Sequence, residues 1–243
     1  MIMNLTIDLG NTALKWAVFE DKNLIFRGKF DYSNLIEDLK SLENLNIIKV
    51  AFTSVIQVPE ELRNFLNRYD FVFPINKNSK IPLKNIYETP QTLGLDRLMN
   101  AVAANYLFPN HDLLIIDSGT CLKIDFVSKQ NEFVGGAIAP GLNMRYKALS
   151  QFTHQLPLLE PKAFNNLIGK KTNDSIHNGV MSGMANEIIG AINNYSELYP
   201  DLKLVITGGD YHYFQDIIEK KAIFAEPDLT LIGINLILLY NIE

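Results

Sequence analysis

The sequence predicts an α/β protein of two related domains, each a mixed sheet flanked by helices, and three observations carry that expectation. The stretch 114–141 reads as strand, tight polar turn, strand, turn, strand, with Asp117-Ser118-Gly119-Thr120 at its first turn. The N-terminus repeats it: Ile7-Asp8-Leu9-Gly10-Asn11-Thr12-Ala13-Leu14-Lys15 aligns with residues 116–123 once one residue is skipped, and residues 22–28 parallel 129–135. A third glycine turn, Thr207-Gly208-Gly209, follows another apolar strand. The copies lie too far apart for a solenoid, so they predict two domains, 1–112 and 113–243, facing each other across a cleft that would hold the site.

Taken in order, residues 4–8, 15–19 and 24–30 read as an antiparallel meander, with Asp21-Lys22-Asn23 as a turn. Helical spacing of Leu35, Leu39 and Leu42 precedes a strand over 47–52. Pro59-Glu60-Glu61 starts a helix, because proline suits the first turn and acids favour the positive end. A strand over 71–73 and an irregular stretch through Pro82 and Pro90 lead to Gly94-Leu95-Asp96-Arg97, which opens a helix carrying Leu98, Ala101 and Val102. After the second meander come a short helix with Met144 and Leu149, a loop with His154 and Pro157, and a long helix from Thr172-Asn173-Asp174 to about Leu198. Gly179 and Gly183 on that helix are expected to permit close helix packing. A strand over 204–206 and a helix from about Tyr211 follow, and the apolar run 229–240 is read as a buried helix, too short to span a bilayer.

Composition narrows the function classes. With 243 residues, 47% hydrophobic and 20% charged, the chain is ordinary for a globular protein with an ample core. A formal net charge of -5, without a Lys/Arg cluster, argues against a nucleic-acid partner. The single cysteine, Cys121, excludes an internal disulfide and suits a reducing cytoplasm. Asp8 and Lys15 interrupt the N-terminal apolar segment, so no secretory signal is expected, and no membrane partner either. His111, His154, His177 and His212 lack metal-ligand spacing and read as surface or loop residues; Cys121 reads as a small buried side chain.

The chemistry concentrates at the turns. Asp8-x-Gly10-Asn11-Thr12 offers amides, a hydroxyl and a carboxylate, a set suited to ATP phosphates with Mg2+ on the carboxylate directly or through water. Alone, it is equally well an Asp-Gly hairpin turn. Its repetition at Asp117–Thr120 and the turn at 207–209 favour a two-domain phosphotransferase of the actin, hexokinase and Hsp70 type, with ribonuclease H-like domains. Asp96-Arg97, taken alone, reads more readily as a solvated ion pair opening a helix than as a functional pair.

Together, the ordered motifs resemble the type III pantothenate kinases of that superfamily. They are Asp8-x-Gly10-Asn11-Thr12-x-x-Lys15, Tyr87-x-x-Pro90-x-x-x-Gly94-x-Asp96-Arg97, Asp117-x-Gly119-Thr120, Gly135-Gly136-Ala137-Ile138-x-Pro140-Gly141, Leu156-Pro157, Gly169-x-x-Thr172 and Thr207-Gly208-Gly209. The resemblance implies ATP-dependent phosphorylation of the primary hydroxyl of pantothenate, the first step of coenzyme A synthesis. It implies that Asp8, Leu9, Gly10, Asn11, Thr12, Ala13, Leu14 and Lys15 form the ATP-phosphate loop, with Thr120 a second nucleotide contact. Asp117 would hold a monovalent cation, K+ or NH4+. Tyr87, Gly94, Leu95, Asp96 and Arg97 would line the pantothenate pocket, with Asp96 as the base and Arg97 on the substrate carboxylate. Thr172 would reach the substrate from the other subunit of a homodimer. The second repeat departs from the family pattern by placing Cys121 and Lys123 after Thr120, with a charge where a hydroxyl is usual. Two rivals stand beside this reading: a kinase or phosphatase of the same superfamily with another small substrate, and a non-enzymatic regulator on the same fold.

Overall fold

The computed structural model describes residues 3–163, 166–221 and 223–242. The chain comprises two compact units, Met1–Lys84 with Glu88–Ala103 and Asp228–Glu243, and Asn85–Tyr87 with Ala104–Pro227.

In the first unit, β1 (Met3–Leu9), β2 (Leu14–Glu20) and β3 (Asn23–Phe30) form the expected antiparallel meander. Strands β4 (Ile47–Ser54) and β5 (Phe71–Pro74) add in parallel beside β1, giving the order β3-β2-β1-β4-β5. Because side chains alternate across a strand, Leu5, Ile7 and Leu9 of β1 face one layer while Asn4, Thr6 and Asp8 face the other. The first layer is α1 (Leu35–Lys40) and α2 (Glu60–Leu66), whose Leu35, Leu39, Leu62 and Phe65 join Leu5, Ile7 and Leu9 in one core. Pro59 stands at the N-cap of α2, with Glu60 and Glu61 in the first turn. Helix α7 (Leu229–Ile242) packs on β1, β2 and β4. Its buried Asn235 accepts from Asn4 at 3.1 Å and donates to the Asp21 carbonyl at 2.7 Å, so the buried amide of Asn4 is matched.

The second unit repeats this plan. Strands β7 (Leu113–Ser118), β8 (Cys121–Ser128) and β9 (Glu132–Pro140) form the second meander, and β10 (Lys203–Thr207) and β11 (Phe224–Ala225) continue it in parallel. With the two-residue β6 (Lys84–Asn85), the order is β11-β10-β7-β8-β9-β6. The repeat extends to the irregularities: register shifts fall between Val18 and Phe19 and between Phe126 and Val127, equivalent positions in the two copies. Helix α4 (Leu142–Gln151) and the long α5 (Thr172–Leu198) cover Leu114, Ile116, Leu122 and Ile124. Helix α5 does so with Ile176, Val180, Met184, Ile188 and Ile192, one residue every four. A short 3-10 turn (Tyr211–Phe214) leads into α6 (Gln215–Lys220).

Four expectations change. A single cut between residues 112 and 113 does not follow the units, because α7 belongs with the first sheet and Asn85–Tyr87 with the second. Gly179 and Gly183 do not serve packing within the chain: a methyl group at either would meet nothing within 4 Å. His177 is buried on α5 rather than superficial, its Nδ1 2.8 Å from the Tyr146 hydroxyl. Cys121 is half-buried, with Sγ 4.0 Å from Met144 Sδ.

Candidate active site

In the first unit, the hairpin between β1 and β2 closes with Leu9 opposite Leu14 and Asp8 opposite Lys15. Between them the loop is drawn tight by the Gly10 amide donating to the Ala13 carbonyl at 3.1 Å. Tyr32 donates its hydroxyl to the Gly10 carbonyl at 2.6 Å, a brace that no local motif announces. Burial, with the Asp8 carboxylate adding to it, raises the Tyr32 phenol pKa. Asn11 and Thr12 are exposed at the crest, Asp8 and Gly10 half-buried. Leu9 and Leu14 are buried in the sheet and Ala13 is buried in the loop between them, so only their backbone could serve a ligand.

The same unit carries the start of α3 (Leu95–Leu107). Asp96 lies in its first turn, with Oδ1 accepting from the Arg97 amide at 2.9 Å. Gly94 makes room for that carboxylate: a β-carbon there would stand 2.5 Å from Asp96 Oδ1. Arg97 is only 4% exposed, which excludes the solvated ion pair considered from sequence. Gly94, Leu95 and Asp96 are half-buried.

Tyr87 belongs to the second unit. Its amide donates to Asn85 Oδ1 at 3.1 Å, and its ring meets Phe133 edge-on with centroids 6.1 Å apart. Gly135, at φ +143°, lets the ring approach β9; a β-carbon there would lie 3.3 Å from Tyr87 Cδ2. The run from Tyr87 to Arg97 is thus anchored at its two ends in different units.

The second carboxylate turn joins β7 to β8. Thr120 is exposed at its crest, and the turn is braced from two sides. Gly208, at φ +95°, lies so close that a side chain would strike the Ser118 carbonyl, and one at Gly141 would strike the Gly119 carbonyl. The Asp210 amide donates to the Ser118 carbonyl at 2.8 Å. Burial raises the Asp210 carboxyl pKa; His212 opposes this and Asp117 adds to it. Asp117 itself pairs across the sheet with Lys123, whose Nζ lies 2.7 Å from Oδ2. The residues at this turn therefore do not fit the expected monovalent cation on Asp117, because a lysine ammonium is already seated there. Lys123, visible in the sequence as a departure, and Asp210, after the glycine turn, join this constellation. Thr172, the first residue of α5, is exposed in the same unit. Among the described residues, no group of three or more His, Cys, Asp or Glu could hold a metal ion.

Two mixed sheets of one strand order, each with an aspartate-led turn after its first strand, define an actin-like ATPase fold. Solved structures agree. A Campylobacter jejuni protein assigned to the Baf family of transcriptional activators superposes with a TM-score of 0.61 at 23% identity over 98% of both chains. A ROK family glucokinase from Streptomyces griseus, in complex with glucose and AMPPNP, gives 0.52 at 12% identity over 96% of this chain and 98% of its own. The chain belongs to the type III pantothenate kinase family, whose sequence profile matches residues 4–194. Type III pantothenate kinases of Phocaeicola vulgatus and Christiangramia forsetii are 40% and 38% identical to it, each over 98% of this chain and 99% of the relative.

Proposed function

We propose that this protein carries out the reaction of its family, ATP-dependent phosphorylation of pantothenate to 4'-phosphopantothenate, the step that opens coenzyme A synthesis. The observation that carries the reading is the family match through both aspartate turns and the start of α3. Phosphoryl transfer has a loose transition state, so the protein's task is placement and charge neutralisation more than strong base chemistry.

In this reading the amides and hydroxyl of Gly10–Thr12 cradle the ATP phosphates, Lys15 adds positive charge, and Thr120 contacts the nucleotide from the second turn. Asp8 fits Mg2+: it is a half-buried carboxylate at the foot of an exposed loop, and its negative charge contributes to the raised Tyr32 pKa. When bound, Mg2+ neutralises phosphate charge and takes mostly phosphate and water oxygens, so it needs no protein cage. Asp96 takes the proton of the pantothenate hydroxyl as that oxygen attacks the γ-phosphorus and ADP leaves. Arg97 pairs its planar fork with the substrate carboxylate, a geometry lysine does not reproduce. Tyr87, Gly94 and Leu95 shape the pantothenate site. We place the enzyme in the cytoplasm as a homodimer in which Thr172 of a second copy completes the site; no helix among the described residues is long and apolar enough to cross a membrane.

The test is ADP release from ATP and Mg2+ with and without pantothenate. Release that depends on pantothenate, with a phosphorylated product of the expected mass, supports the reading. ATP binding without phosphorylation of pantothenate moves the assignment to another acceptor or to a regulator.

A further inference from the structure

We propose that Lys123 is a built-in substitute for a monovalent cation, and that this kinase turns over without K+ or NH4+. The inference rests on the pantothenate kinase reading and extends it to the second aspartate turn.

Lys123 and Asp117 are directly opposed across the antiparallel pair β7–β8, so both side chains leave the same face of the sheet. The contact follows from register and does not require a long side chain to fold back from elsewhere. Nζ and Oδ2 are 2.7 Å apart, the length of a charge-assisted hydrogen bond. The two side chains are only 15% and 13% exposed, which sets the pair apart from screened surface bridges. Gly208 closes the other side: its β-carbon would stand 2.7 Å from Asp117 Oδ1, so the turn leaves the carboxylate little room to swing away from the lysine.

The charge balance points the same way. The Asp210 amide donates to the Ser118 carbonyl at 2.8 Å, which brings a second carboxylate residue to the turn after Asp117, and a turn with two carboxylates repels phosphate unless a cation stands there. Lys123 supplies that cation. A soluble ion must be drawn from solution, whereas a tethered ammonium is present at high effective concentration. An ammonium also carries three donors, so it can hold Asp117 and still bind a phosphoryl oxygen.

The experiment compares wild type and Lys123→Thr with tetramethylammonium, Na+, K+ or NH4+ as the only monovalent cation. Product is read directly by phosphorus NMR, so that no coupling enzyme brings its own cation demand. Wild-type turnover is expected to agree within about twofold between tetramethylammonium and K+, whereas dependence above about tenfold overturns the proposal. Lys123→Thr is expected to lose turnover in tetramethylammonium and regain it with K+ or NH4+. Equal turnover of the variant in all salts overturns the proposal.

Thermal melting gives a readout independent of activity. K+ is expected to raise the melting temperature of the variant by about 2–4 °C and leave wild type unmoved. A K+-induced rise in wild type, or none in a folded variant, overturns the proposal. Should wild type phosphorylate no pantothenate in any salt, the kinase reading fails, and melting alone decides the cation question. Should Lys123→Thr fail to fold, the wild-type series decides it.

Discussion

Replacing Gly94 by alanine separates the placement of the proposed base from the stability of the fold. The added β-carbon would stand 2.5 Å from Asp96 Oδ1, whereas ordinary contact begins at 3.4 Å. The carboxylate must therefore retreat by about 0.9 Å, and a misplacement near 1 Å in a reacting group costs about 100-fold in kcat, or roughly 2.7 kcal/mol of transition-state stabilisation. The fold has little to lose. The struck atom is the end of a side chain, and the retreat weakens the hydrogen bond from the Arg97 amide to Oδ1, worth about 1 kcal/mol. Gly94 does not occupy the left-handed region, so alanine fits the backbone and returns about 0.4–1 kcal/mol by restricting the unfolded chain. Gly94→Ala is thus expected to melt within about 4 °C of wild type while its kcat falls about 100-fold. Pantothenate-dependent ADP release and a thermal melt on one preparation measure both. A kcat within threefold of wild type would refute the dependence of catalysis on Asp96 placement.

Asp96→Asn and Thr172→Ala should each cut turnover, the first by about 100-fold or more, while titration calorimetry finds ATP affinity unchanged. Mixing the two impaired variants should raise activity above that of either alone if Thr172 serves the partner's site, and mixtures no more active than the separate variants would rule out a shared site. Gly233→Ala would drive a β-carbon into the Met99 backbone, a destabilisation of about 1–3 kcal/mol, each worth roughly 2–4 °C in a melt. The buried Tyr146 phenol is pushed up to about 12, by burial first and by Tyr213 second. The folded protein therefore holds a proton that the unfolded chain releases near pH 10. Its stabilisation is complete below pH 10 and is lost as pH rises toward about 12, a loss of up to roughly 2–3 kcal/mol. Urea melts between pH 9 and 11 should show a shallower decline in Tyr146→Phe than in wild type.

What the chain determines locally was legible without coordinates. The aspartate-led turns are written in Asp, Gly and Thr at fixed offsets from apolar strands, and Thr172-Asn173-Asp174 marks the start of α5. The internal repeat carried further than its residues: the common strand order and the matching register shifts follow from two copies of one pattern. Helix α7 was different. It is apolar on most sides, so its sequence names no direction, and only packing assigns it to the first sheet instead of the second, which precedes it in the chain. Tyr87 and Arg97 lie close in sequence yet belong to separate units, a distinction invisible in a motif that runs unbroken through both. The burial of Arg97 and of His177 depends on what covers them, and sequence spacing does not record that. Lys123 is the sharpest case. In sequence it was one charge out of place; strand register set it opposite Asp117 and within hydrogen-bond reach, because pairing across a sheet is decided by the fold and not by the distance along the chain.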